Sequence, residues 1–149
     1  MRVAAIVVGT VFLALALARP MGADEGELVV ITHPSRSVAL TPGDVRRLFL
    51  KQRRFWPDGR PVIAINQSAA TPTRLRFDHT IFGRDARDLA SYWNQRYFEG
   101  QFPPLTLGSD EAVQRYVATK PDAVGYVSAG AVDGSVHVAL RLPRGAPGR

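Results

Sequence analysis

The 149-residue chain contains no cysteine. Disulfide frameworks, thiolate metal sites, iron–sulfur clusters and cysteine nucleophiles are thereby excluded. Histidine is almost as scarce. His33, His79 and His137 are too far apart in sequence to suggest a shared metal site, and each reads as a structural or solvated residue. His33, directly after an apolar run, is the one placed to do chemistry. Charge of one sign is not abundant either: 19 Lys and Arg against 13 Asp and Glu give +6, a mild bias that identifies no partner by itself. No long apolar run occurs after Leu17, so a multi-span membrane protein is excluded. With 46% hydrophobic and 21% charged residues, wholesale disorder, collagen and coiled coil are excluded as well.

What is present begins with a short basic start, Met1-Arg2, and an apolar stretch from Val3 to Leu17. Small residues follow, with cleavage expected after Ala18 or Ala23. This is the anatomy of a secretory signal peptide. The competing reading, a membrane anchor, suffers from length, since a spanning helix needs about 20 apolar residues. The expectation is a signal peptide over residues 1–23, a single domain over 24–142 and a flexible tail over 143–149, in the periplasm or outside the cell. The mature chain then has room for one domain of ordinary size.

Leu28-Val29-Val30-Ile31 reads as a buried strand. Thr41-Pro42-Gly43-Asp44 opens a helix with a capping-box spacing, and Val45, Leu48 and Phe49 form its apolar stripe while Arg46 and Arg47 face out. Trp56-Pro57-Asp58-Gly59 is a turn, and Pro61 to Ile65 a second strand. Asn66 to Ala70 reads as a polar loop. Thr71 caps a helix that starts at Pro72 and stops at Gly83. Asp85 caps a third helix with Leu89, Trp93 and Tyr97 on one face, and Gly100 to Gly108 is a loop. Ser109 caps a fourth helix with Val113, Tyr116 and Val117 inward. Val124–Val127 and Val136–Leu142 are short strands. The order predicts an α/β fold, a mainly parallel sheet flanked by helices.

In open α/β sheets ligands lie beyond the carboxyl ends of strands. A helix amino terminus adds free N–H groups and a partial positive charge. Residues 65–77, INQSAATPTRLRF, combine both. Hydroxyls of Ser68, Thr71 and Thr73 can donate to an oxyanion, and Arg74 in the first helical turn is unfavourable against the dipole unless an anion is near. Plain helix capping, with Arg74 solvated, explains the same residues and stays open at this point. The run Arg46, Arg47, Lys51, Arg53, Arg54 with Phe55 and Trp56 could serve nucleic acid. Export removes most such partners, and a solvated helix face is the preferred reading. Asp110/Glu111 sits where a helix dipole welcomes acid. No G-x-S-x-G elbow accompanies Ser35, Ser37, His33 and His79. No catalytic residue, metal or cofactor is assigned.

Taken in order, LTPGDVRRLFLKQRRFWPDGRPV, TPTRLRF, YWNQRYFEGQFPP and AVGYV resemble short PstS-like phosphate ABC transporter substrate-binding proteins, with a type 2 periplasmic-binding-protein-like domain. The resemblance spans about residues 28–140. It implies one lobe of a normally two-lobed, non-enzymatic receptor, and an oxyanion loop falling on Ser68 to Arg74. Thr71-Pro72-Thr73-Arg74 is similar to the Ser-Pro-x-Arg sequence of the short relatives. Departures are Ala69 and Ala70, where the transport proteins prefer aspartate and glycine, and Asn66 and Gln67, where arginine and acid are expected. The implied ligand is inorganic phosphate or a similar oxyanion, for uptake or sensing. The implied partner is an ABC permease, or an envelope receptor or sensor. The alternative is a single-lobe interaction module of the cell envelope that has lost ligand capture and docks on such a receptor or on a second copy of itself. No nucleic acid partner is expected.

Overall fold

Leu28–Thr32 is buried at every position, which puts it inside a sheet rather than at its rim. In the computed structural model, which describes residues 26–84 and 86–144, this is strand β1. It is followed by α1 (Pro42–Phe49), β2 (Ile63–Gln67), α2 (Pro72–Phe82), α3 (Ala86–Phe98), β3 (Leu105–Leu107), α4 (Asp110–Thr119), β4 (Ala123–Ser128) and β5 (His137–Leu142). A short 3-10 turn, Ala129–Ala131, follows β4. The expected signal peptide, the Asp85 cap and tail residues 145–149 lie outside the described residues.

The strands form one sheet in the order β3-β2-β4-β1-β5. β2 runs parallel to both β3 and β4, while β1 is antiparallel to β4 and to β5. Four strands therefore share a direction and β1 opposes them. This is the expected α/β architecture with two additions. β3 lies inside the stretch read as a loop, since three half-exposed residues at an edge carry no usable periodicity. The direction of β1 was also hidden, because an unbroken apolar run reports burial on two faces and nothing about pairing.

Alternation within the strands builds a core on each face of the sheet. Leu28, Val30, Ala64, Val124 and Tyr126 pack with Val45, Leu48, Phe49, Phe77, Ile81 and Leu89 of α1, α2 and α3. Val29, Ile31, Ile65, Ala123 and Val127 pack with Val113 and Val117 of α4. Tyr116 is only half-buried against this second cluster. The stripe expected on α3 does not all point inward. Leu89 is buried and Trp93 partly so, but Tyr97 is 60% exposed because the helix outruns the core.

The helix starts follow the sequence. Thr41 Oγ1 accepts from the Asp44 N–H at 3.1 Å and Asp44 Oδ2 accepts from the Thr41 N–H at 3.0 Å, a complete capping box. Thr71 and Ser109 accept from Arg74 N–H and Ala112 N–H. Gly83 ends α2 at φ 62°, the left-handed conformation that glycine adopts without a Cβ clash. The basic run is largely spent on structure: Arg47 and Arg53 pair with Asp44, and Arg46 donates to the Ile81 and Phe82 carbonyls at the end of α2. Trp56 is buried, and its indole N–H donates to Asp122 O at 3.0 Å.

Gly125 of β4 lets α4 approach the sheet. A Cβ there would lie 2.6 Å from Val113 Cγ1 and 3.3 Å from Val117 Cγ2. Gly125→Ala is therefore expected to destabilise the fold by about 1–3 kcal/mol through overpacking. A urea denaturation midpoint equal to wild type would show that α4 can retreat freely.

Candidate functional site

Because β2, β3 and β4 are mutually parallel, their carboxyl ends share one edge of the sheet, and α2 and α4 both begin there. This is the edge at which open α/β sheets collect ligands. β2 extends further than its sequence suggested. Asn66 and Gln67 belong to the strand and are buried, so the loop shrinks to Ser68–Ala70. The cause is a partner from β4. Tyr126 stacks on Phe77 with ring centroids 3.7 Å apart, and its hydroxyl donates to Asn66 Oδ1 while accepting from the Gln67 N–H at 3.1 Å. Burial, chiefly, pushes the Tyr126 phenol well above its ordinary range, so it stays a donor.

Gln67 then links three elements. Its side-chain amide donates to Asp110 Oδ1 of α4 at 2.6 Å and to Tyr126 O at 3.0 Å. The second Asp110 oxygen accepts from the Ser128 N–H at 3.1 Å. An internal carboxylate thus occupies donors at the end of β4. By sequence alone Asp110 is only a dipole-compatible acid. Ser128 and Tyr126 carry no local signal for this site because they belong to a strand distant in sequence from the loop.

The four predicted ligand residues are divided by the structure. Ser68 is half-buried, its N–H donating to Leu107 O and its carbonyl accepting from Thr71 N–H and from the Thr71 hydroxyl, each at 3.0 Å. The Thr71 hydroxyl also accepts from Arg74 N–H at 3.2 Å, so it is engaged in the cap. Thr73 points elsewhere: its hydroxyl lies 3.3 Å from that of Ser128, on the open edge. Arg74 turns inward. Its Nε donates to Asp78 Oδ2 at 2.7 Å and Nη1 donates to Gln67 O at 2.9 Å. The anion that offsets the helix dipole at Arg74 is supplied by the chain itself, one turn along α2. That i,i+4 spacing was readable in the sequence.

Two cavities flank these residues. One of about 330 Å³ lies on the Arg74 side and is lined by Asn66, Arg74, Trp93, Pro103, Pro104 and Thr106. The other, about 660 Å³, lies on the Ser128 side. His33 is not near either. The reversed direction of β1 sends it to the opposite end of the sheet, where its Nδ1 lies 2.8 Å from Ser35 Oγ. His79 borders a third cavity, and His137 contacts Val38 O. Among the described residues no cluster of His, Asp and Glu has the arrangement of a metal site.

Solved structures share this fold: it is that of one part of PstS-like substrate-binding proteins. The chain is similar to an ABC-type phosphate transport receptor from Vibrio cholerae, at TM-score 0.60 and 17% identity, over 74% of this chain and 44% of that one. A putative phosphate ABC transporter substrate-binding protein with bound phosphate from Clostridium perfringens gives TM-score 0.62 and 19% identity, over 77% and 45%. PstS from Borrelia burgdorferi gives 0.59 and 14%, over 76% and 47%. This chain spans less than half the length of each. No family model matches the sequence, and no curated protein matches it significantly.

The Arg74–Asp78 pair yields two predictions. Both side chains are nearly inaccessible, 11% and 2% exposed, so Arg74→Ala leaves a buried carboxylate without its counter-charge and is expected to cost about 3–5 kcal/mol. Burial, outweighing Arg74, holds the Asp78 carboxyl above its ordinary range. A raised carboxyl pKa means the folded state binds the proton more tightly. The contribution of Asp78 to stability is then most favourable below the ordinary carboxylate range and declines as pH rises through the raised value. Unfolding free energies of wild type and Asp78→Asn, followed from about pH 3.5 upward, should shift steadily in favour of the variant. A difference that is flat in pH, or that moves the other way, would contradict this.

Proposed function

We propose that this chain is an exported, non-enzymatic solute-binding protein that holds phosphate or a similar oxyanion at the amino terminus of α2, for uptake through an ABC permease or for an envelope sensor. The observation that carries the reading is the meeting of the Thr73 and Ser128 hydroxyls at the carboxyl ends of β2 and β4. Three things support the chemistry. Pro72 has no N–H and the cap takes that of Arg74, which leaves the Thr73 N–H as the first-turn donor outside the cap. The hydroxyls of Ser68 and Thr73 offer further donors, while Thr71 and Arg74 fix the loop that presents them. Solved proteins of the same fold are named as phosphate receptors, one with phosphate bound.

The test is calorimetric titration of the exported form with phosphate and with sulfate. Thr73→Ala is expected to weaken binding about ten-fold, the scale of one hydrogen bond to a charged group. Ser68→Ala should act in the same direction, and unfolding midpoints should stay close to wild type. Absence of heat above background for both anions would remove the reading.

A second reading, an envelope interaction module, is favoured by one observation. Tyr97, Phe98, Phe102 and Leu105 are 60, 89, 55 and 49% exposed at the β3 edge, and Tyr97 makes edge-on contacts with both Phe98 and Phe102. Contiguous exposed apolar surface of this kind marks association. Under this reading the chain forms a homodimer through the patch, and Phe98→Asp returns it to monomer in light scattering. A wild type that is monomeric at every concentration would argue against self-association.

A further inference from the structure

Several arginines in this fold have an acidic partner: Arg36 and Arg60 share Asp122, Arg47 and Arg53 share Asp44, and Arg74 has Asp78. Arg76 and Arg144 form no ion pair among the described residues, and neither does Glu111. All three line one cavity of about 660 Å³, within the size range of small-molecule sites. Ser128, Gly130 and Asp110 complete its polar wall. Arg76 follows Thr73 by three residues on α2 and so shares its helix face. A neighbouring cavity of about 480 Å³ is also lined by Arg76 and Arg144, so the two guanidiniums stand at the junction of a longer groove. Gly26, at φ 115°, has no side chain to occupy the space in which the Arg144 guanidinium lies.

The two signs of charge in the same cavity limit what fits. The Asp110 carboxylate is already hydrogen-bonded by Gln67 and Ser128, whereas that of Glu111 is exposed. A bare polyanion attracted by the arginines meets two carboxylates on the same lining, which opposes it. A molecule with an oxyanion at one end and an ammonium at the other satisfies both walls. We propose that the groove between α2, α4 and Arg144, just after β5, is a binding site for a small zwitterion, its phosphonate, phosphate or carboxylate group held by Arg76 and Arg144 and its ammonium by Glu111. As a solute specificity the inference rests on the solute-binding reading and shares Ser128 with it, but its charged groups, Arg76, Arg144 and Glu111, lie outside the Ser68–Arg74 loop.

The test uses 2-aminoethylphosphonate, ethylphosphonate, β-alanine and inorganic phosphate as calorimetric probes of the wild-type exported protein and of Arg76→Ala, Glu111→Gln and Thr73→Ala. 2-Aminoethylphosphonate is expected to bind at least ten-fold tighter than ethylphosphonate, which lacks the ammonium. Arg76→Ala should weaken both phosphonates, and Glu111→Gln only the amino one, reducing it to the level of ethylphosphonate. β-Alanine binding with the same dependence on Arg76 and Glu111 would extend the site to carboxylates, and its failure to bind would assign the phosphonate class. Equal affinity for the two phosphonates, indifference to Glu111→Gln, or no binding of 2-aminoethylphosphonate overturns the inference. Inorganic phosphate separates the two sites. Phosphate binding that is sensitive to Thr73→Ala and accompanied by no aminophosphonate binding sinks this inference alone. Aminophosphonate binding sensitive to Arg76→Ala with no phosphate heat sinks only the α2-loop reading. Arg76 and Glu111 have exposed surface, so retained unfolding midpoints check that both variants fold.

Discussion

A phenol hydroxyl buried in a protein interior must find partners or cost several kcal/mol. Tyr126 meets that demand at the end of β2, and much of the candidate site follows from it. With its ring laid flat on Phe77 and flanked by Phe49, the hydroxyl meets the Asn66 side chain and the Gln67 N–H. Those bonds keep β2 extended through Gln67, which in turn delivers the Gln67 amide to Asp110 and the Gln67 carbonyl to Arg74. The first turns of α2 and α4 are thus held to one edge by a network that starts from a single aromatic side chain. Such networks are worth more intact than the sum of their bonds, because each member left alone is an unsatisfied buried group.

The parts of this arrangement legible in the sequence are those whose causes are local. Thr41 and Asp44, Thr71, Ser109 and Gly83 announce helix ends because capping is a matter of three or four adjacent residues. The α/β class follows from strands alternating with helices. What could not be read depends on contacts between distant segments. Asn66 and Gln67 are polar and precede a helix start, so they read as loop, and only Tyr126, some sixty residues later, makes them strand. Thr73 and Arg74 are neighbours in sequence but lie about 100° apart around the helix. That rotation sends one to the open edge and the other to Asp78. Tyr97 continued an apolar stripe correctly by period, yet no periodicity reveals where the core stops.

The sheet also separates its two ends by task. At the end where β4 begins, Arg36 lies over the Trp56 ring, 4.6 Å from its centroid, donates to Pro121 O at 3.0 Å and pairs with Asp58 and Asp122. Trp56 and Arg60 reach the same Asp122. Donors and acceptors there are consumed internally, stitching the turn after α1 to the start of β4. At the other end are two helix starts, a pair of hydroxyls and two guanidiniums, Arg76 and Arg144, that form no ion pair among the described residues. The net charge of the chain carries none of this information, because it sums paired and unpaired groups alike.

The packing of Arg144 against Gly26, beside the pairing of Leu28 with Leu142, has a topological consequence. The described chain enters and leaves the fold at one point, on neighbouring strands. A unit with adjacent ends can be carried inside a longer polypeptide without stretching or reordering its sheet, since the host chain has only to open a short gap to admit it. In the longer proteins that share this fold, the matched region is under half of the chain. Geometry of this kind makes a lobe portable, because its two connections leave side by side and whatever adjoins them need not disturb the strand order.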